Sequence, residues 1–269
     1  QRHILLLLFS LKGSKKEIEM PLEPEPSTEP VLSSARPGKD EMNFAEFPIA
    51  LLTDRVPKGQ TSIKFEDQLY DERRKKVITR KRVIEGSEEY GLPTATDDTV
   101  ILALIQLTKL KSNFTSREVE FTRLELIKLL GWEDEGRSYE RIKLSLQRIA
   151  NVTYNYDNAW WDGRQRSWTT KIFHILDTVE INDSRTLNGQ RSLFPSRVIW
   201  NDVVFDSFQS GFLRNIDFKL CIRLEHAISL RMYRFLGKRF YVESDLTFDL
   251  KEFAINYLNL GRNYEGGAQ

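Results

Sequence analysis

From Val100 to Ile149 apolar residues recur at helical spacing in separate stretches, and past Asn151 the period changes to the alternation of strands. Few folds accept that succession. Asp97–Lys111 reads as a first helix, with Asp97 or Thr96 able to cap its free N–H groups and Asp98 at the positive end of its dipole. Its Val100, Ile101, Leu104, Ile105 and Leu107 must pack inward. A short strand follows at Glu118–Phe121, then a helix at Arg123–Leu130 between a Thr122 cap and a Gly131 stop. Ser138–Ile149 is a third helix. Asn151–Tyr156 and Trp168–Ile181 read as two long strands around Asp162-Gly163, a strong hairpin signal. Helix, strand, helix, helix, hairpin is the order of a winged helix-turn-helix, so the expected fold class is α+β.

Part of this pattern recurs. Phe121-Thr-Arg-Leu-Glu-Leu-Ile-Lys-Leu-Leu and Gly136-Arg-Ser-Tyr-Glu140 have counterparts in Phe248-Asp-Leu-Lys-Glu-Phe-Ala-Ile-Asn-Tyr-Leu and Gly261-Arg-Asn-Tyr-Glu265. Each copy is preceded by a basic amphipathic helix and a short strand ending in Phe. The second copy stops at Gln269, where its third helix should only be starting, so one complete unit and a C-terminally truncated second are expected.

Ahead of them, TSIKFEDQLY and KVITRKRVI, separated by the charged turn DERR, alternate as a β-hairpin does. Ser14–Glu41 alternates Pro and Glu and buries almost nothing, which is the composition of a flexible arm. The expected divisions are an arm over 1–42, a hairpin extension over 43–96, a first winged helix over 97–190 and the truncated copy over 191–269. Ile4–Phe9 is too short an apolar run to span a membrane. With no Met at position 1, and Met20 and Met42 downstream, the first residues are expected to come from upstream sequence.

The formal charge is only +1, but it is unevenly spread. Seven of the ten residues Arg73–Arg82 are basic, and Arg191–Tyr241 carries nine Lys/Arg against four Asp/Glu. Local fields of this kind suit a polyanionic partner, although a solvated face has the same composition. In Ser138–Ile149, the residues Tyr139, Ile142, Leu146 and Ile149 form a core side, leaving Arg137, Glu140, Arg141, Lys143, Gln147 and Arg148 on the remainder. Arg and Gln have the forked geometry that matches guanine and adenine edges in a major groove, whereas Lys mostly neutralises phosphate. Ser138 is a candidate N-cap that would bring the helix terminus to a phosphate. Arg164 and Arg166 on the hairpin could contact backbone or minor groove. Phosphate contacts are also open to Arg73, Arg74, Lys75, Lys76, Arg80, Lys81 and Arg82, though strand alternation makes only one face available. For Tyr154, Tyr156, Trp160, Trp161 and Trp168, cross-strand packing is a simpler account than stacking on unpaired bases.

Nothing in the sequence commits to catalysis. His3, His174 and His226 are isolated, and one cysteine, Cys221, builds neither a zinc knuckle nor a disulfide. Cys221 lies in an apolar helical pattern and reads as a buried thiol, and His226 as a structural residue within a helix. There is no GxxxxGK[ST] loop. No catalytic residue, metal or cofactor is expected.

MNFAEFPIALLTDRVPKGQ (Met42–Gln60), YGLPTATDD (Tyr90–Asp98), FTRLELIKLLGW (Phe121–Trp132), YDNAWWD (Tyr156–Asp162) and RMYRFLGKRFY (Arg231–Tyr241) resemble the plasmid replication initiator protein A family. The resemblance implies an initiator of theta replication with two winged helices that binds repeated origin sequences, or iterons, on double-stranded DNA. It further implies opening of an adjacent AT-rich segment, recruitment of the host initiator and replicative helicase, and no nucleotide hydrolysis. A homodimer is compatible with it. The lone cysteine suits a reducing cytosol, and the expected location is cytoplasmic, plasmid- or nucleoid-associated, without membrane attachment. A winged-helix autorepressor and a winged-helix protein–protein module are the competing functions; a nicking enzyme would want a metal-binding His pair that the sequence lacks.

Overall fold

The computed structural model describes residues 11–12, 37–182, 195–241 and 243–260. In chain order these form β1 (Leu11–Lys12), β2 (Gly38–Glu41), α1 (Met42–Glu46), β3 (Ser62–Asp71), β4 (Lys76–Glu85), α2 (Ala95–Ser112), β5 (Glu118–Phe121), α3 (Arg123–Leu130) and α4 (Gly136–Ala150). There follow β6 (Thr153–Asp162), β7 (Ser167–Phe173), β8 (Leu176–Glu180), β9 (Ser196–Trp200), α5 (Asp202–Gln209), β10 (Leu213–Ile216), α6 (Phe218–Arg223), α7 (Ala227–Arg239) and β11 (Asp245–Leu246). The last helical segment among the described residues is α8 (Leu250–Glu252), which runs into a π turn at Phe253–Tyr257.

The fold is mixed α/β with antiparallel sheets. At its centre is α2, where Val100 to Ile105 are all fully buried. Leu102 and Ala103, off the expected inward stripe, are covered too. Leu102 packs with Ile216, Cys221 and Leu230, so the helix is enclosed by the C-terminal elements as well. Its cap lies one residue before the helix: Asp97 accepts from the Thr94 backbone N–H at 2.7 Å and from its hydroxyl at 3.0 Å. Local chemistry set α3 as expected. Thr122 and Glu125 form a reciprocal capping box, and Gly131 ends the helix with φ of 66°.

The hairpin β3–β4 pairs through β4 with β6, so the four strands run β3-β4-β6-β7 as one sheet. Its inner face carries Ile63, Phe65, Ile78, Ile84, Tyr154, Tyr156 and Phe173, all buried. Tyr154, Tyr156, Trp160 and Phe173 form a chain of edge-on and stacked ring contacts, which is the cross-strand packing the aromatics suggest. The expected long strand Trp168–Ile181 is in fact two. β7 ends at Phe173, and β8 pairs with β9 in a separate sheet of order β5-β9-β8. The Asp162 carboxylate turns the β6–β7 loop by accepting from the N–H groups of Arg164 and Gln165. Gly163 serves close approach: an added Cβ would run into Ser210.

Residues 38–42 differ from the arm that composition suggests. β2 pairs with β10, Asp40 and Glu41 are fully buried, and Glu41 caps α1 by accepting from the Phe44 N–H at 2.7 Å. The rest of the expected arm, apart from Leu11–Lys12 and Pro37, lies outside the described residues. In the second copy, α7, β11 and α8 repeat the succession of α2, β5 and α3. The cap repeats as well: Thr122 accepts from the Glu125 N–H, and Asp249 from the Glu252 N–H. Its strand ends at Leu246 rather than at Phe248. Gly261–Glu265 lie outside the described residues, and His226 is the N-cap of α7 rather than within it.

Candidate nucleic-acid interface

The candidate residues fall on two surfaces: α4, which packs on α2, α3 and β8, and the tied turns of β3–β4 and β6–β7, where Arg164 reaches Asp206 of α5. Ile142, Leu146 and Ile149 of α4 are fully buried against α2 and α3. Arg137, Glu140, Arg141 and Leu144 are exposed, with Lys143 and Gln147 partly so. A helical turn of 3.6 residues puts Glu140, Leu144 and Gln147 in one outward stripe, flanked by Arg137 and Lys143.

Not every polar residue of α4 faces out. Arg148 folds back to Asp97, with Nη1 at 2.9 Å from Oδ2, and its Nε donates to the Tyr90 carbonyl at 2.8 Å. That carboxylate is fully buried, so Arg148 closes the cap of α2 and is not free for a base. Arg141 stays exposed but is held to one flank, its guanidinium 4.1 Å from the Trp132 ring and donating to Thr96 Oγ1. Ser138 is buried inside the helix; the N-cap is Glu135, because α4 begins two residues earlier than expected.

At the sheet end, the turns of the two hairpins are tied together. Arg73 Nη1 donates to the Gln165 carbonyl at 2.5 Å, and Arg74 donates to Asn158 Oδ1 and to the Trp168 carbonyl. Arg73, Arg74, Lys75 and Lys76 are exposed there beside Arg164 and Arg166. Arg164 makes a solvent-exposed pair with Asp206 at 2.8 Å. Lys81 is exposed on the outer sheet face, 3.8 Å from Glu66.

Arg80 and Arg82 do not belong to this surface. They share the inward register of β4 with Ile78 and Ile84, and both bind Asp67: Arg80 Nε at 2.9 Å, Arg82 Nη1 at 3.1 Å. Arg82 also lies 4.0 Å over the Phe47 ring. A phosphate could reach neither without opening the sheet.

The basic stretch Arg191–Tyr241 is likewise mostly internal where it is described; Arg191 lies outside. Arg231 donates to the carbonyls of Phe44, Ala45, Glu46 and Tyr257, all within 2.9 Å. Arg234 grips Asp40 and Asp98, and Lys238 and Arg239 converge on Glu46. Burial alone would raise the Glu46 carboxyl, but Lys238, Arg239 and Arg80 hold it at about 2. Burial and the neighbouring Arg234 charge bring Arg231 down to about 10. The four cations of α7 thus fasten it to α1 and β2, and contribute little to the outer field. Sequence reasoning missed their partners Asp40, Glu46 and Asp98, and missed Asp67, which takes Arg80 and Arg82. No local signal identifies them, since Asp40 and Arg234 are 194 positions apart.

Among the described residues no group of three or more His, Cys, Asp or Glu is placed to hold a metal ion. No described helix is long and apolar enough to cross a membrane.

A family model for replication initiators matches residues 39–253, which takes in almost every element from β2 to α8. The class is therefore that of replication initiators. The chain belongs to the replication initiator protein A family. A search of curated protein sequences finds no match. Among solved structures, the chain is similar to a selenomethionine derivative of domains 2 and 3 of RctB, at 16% identity over 74% of this chain and 70% of that one, with a TM-score of 0.49. A second structure of RctB domains 2-3 matches at 15% identity over 72% and 69%, with a TM-score of 0.47.

Proposed function

We propose that the chain binds double-stranded DNA sequence-specifically at a plasmid replication origin, and that binding opens the origin and draws in the host initiator and replicative helicase. Family membership supports the replication-initiator role and a DNA partner. In this reading α2, β5, α3 and α4 are a winged helix whose sheet is β5-β9-β8, with α4 in the major groove, and the tied β3–β4 and β6–β7 turns are a second basic surface. The observation that carries it is the outward stripe of α4, exposed and cation-flanked on a helix whose other side is fully buried. Arg137, Lys143 and Gln147 then face the groove, while Arg141 takes a backbone phosphate from the flank. Arg164 and Arg166, with Arg73, Arg74, Lys75, Lys76 and Lys81, supply further phosphate contacts.

Gel shifts of the full chain with fragments of its own replicon, over a salt series, test this. Tandem repeats should be retained preferentially, and each neutralised phosphate should add about −0.9 to the slope of log affinity against log salt. Permanganate reactivity of neighbouring AT-rich duplex should appear on binding. Binding without opening would favour a transcriptional regulator, and no binding at low salt would sink the DNA reading.

A further inference from the structure

Two residues at the middle of the α4 stripe are odd for a helix that merely holds phosphates. Leu144 is 48% exposed and packs against neither hydrophobic cluster, although Ile142, Leu146 and Ile149 fill the buried side of the same helix. Glu140, one turn earlier on the stripe, is exposed and has no hydrogen bond or ion pair among the described residues. A carboxylate between Arg137 and Lys143 repels phosphate and so weakens indiscriminate binding. An exposed leucine adds nothing to it.

Base edges change that balance. On the floor of a major groove, cytosine presents its N4 amino group as a donor that a carboxylate accepts, and thymine presents a methyl group that an apolar side chain covers. We infer that Glu140 and Leu144 are specificity-determining residues, Glu140 accepting a hydrogen bond from a cytosine amino group and Leu144 packing on a thymine methyl. The inference rests on the reading of α4 as the groove-bound helix. Four residues of helix rise about 6 Å, so the two bases lie within about two base-pair steps of each other. Glu140 excludes bases that offer it only acceptors, while the cations beside it hold the helix in place.

The test starts from duplexes that the full chain selects from a random pool. Each thymidine is then replaced singly by deoxyuridine, which lacks the methyl, and each cytosine by the other bases in turn. Wild type, Leu144→Ala and Glu140→Gln are compared by gel shift, with circular dichroism and thermal melting as fold controls; both side chains are exposed, so the melts should coincide. One deoxyuridine should weaken wild type about fourfold, as expected for one buried methyl, and leave Leu144→Ala unaffected. At a position within about two steps, Glu140→Gln should reduce a cytosine preference of roughly fivefold or more to near unity. If Leu144→Ala keeps the same deoxyuridine penalty, or Glu140→Gln keeps the same base preferences, the assignment is overturned while DNA binding by α4 stands. Failure of wild type to enrich any duplex at low salt would overturn both.

Discussion

Glu46 offers a quantitative check on the internal charge network. Its carboxylate is 2% exposed and faces Lys238 at 3.0 Å, Arg239 at 2.5 Å and Arg80 at 3.8 Å. Those cations hold its folded-state value near 2, against 4.5 for the free group. A depressed carboxylate contributes stability above its unfolded value and loses it as pH falls through its folded one. At 1.36 kcal/mol per unit this is about 3 kcal/mol at pH 7. Mutational experience with broken buried ion pairs gives a similar size, about 3–5 kcal/mol. Glu46→Gln should therefore cost about 3 kcal/mol at pH 7, shrinking to about 1 kcal/mol at pH 3, where wild type has lost most of the contribution. Urea unfolding of both proteins across that range measures the difference directly, and other titrating groups cancel between them. A cost under about 1 kcal/mol at pH 7, or a gap that stays constant down to pH 3, would refute the claim that Glu46 anchors α7 to α1 as a charge.

Other outcomes follow from where the cations point. Arg148→Met should lower stability by about 3 kcal/mol, seen in thermal or urea unfolding, because it strands the buried Asp97. Arg137→Ala and Gln147→Ala should leave the melt unchanged and weaken specific DNA binding by about 1–3 kcal/mol each if they read bases. Lys76→Ala and Arg166→Ala should each reduce the salt slope by about one unit across all sequences, whereas Arg80→Ala should show itself as instability rather than a changed slope. Cys221, fully buried and with its thiol pushed up to about 12 chiefly by burial, should resist a thiol reagent at pH 8 until the protein is unfolded.

The elements whose ends depend on neighbouring residues were legible in the chain itself. Thr122, Glu125 and Gly131 delimit α3 by bonds spanning a few positions, and β5 alternates strictly. The repeat of that cap at Asp249 and Glu252 was readable for the same reason. Several unusual segments likewise sufficed for the family, since resemblance needs only the order of residues.

Which side chains meet solvent is a different matter. Arg80 and Lys81 are adjacent and equally basic, yet one faces Asp67 inside the sheet and the other faces water. Arg148 looks as available as Arg137 until Asp97, on another helix, takes it. Asp40 and Glu41 end an acidic, proline-rich stretch and would pass for solvated chain without α7 and α5 to bury them. A buried charge is tolerable only beside its partner, and partners here come from opposite ends of the sequence. Sequence alone therefore determined the local elements, their order and the family, through caps, periods and turns. Only the tertiary structure decided which cations are internal fasteners and which stay exposed, because burial is set by what the chain brings together over long range.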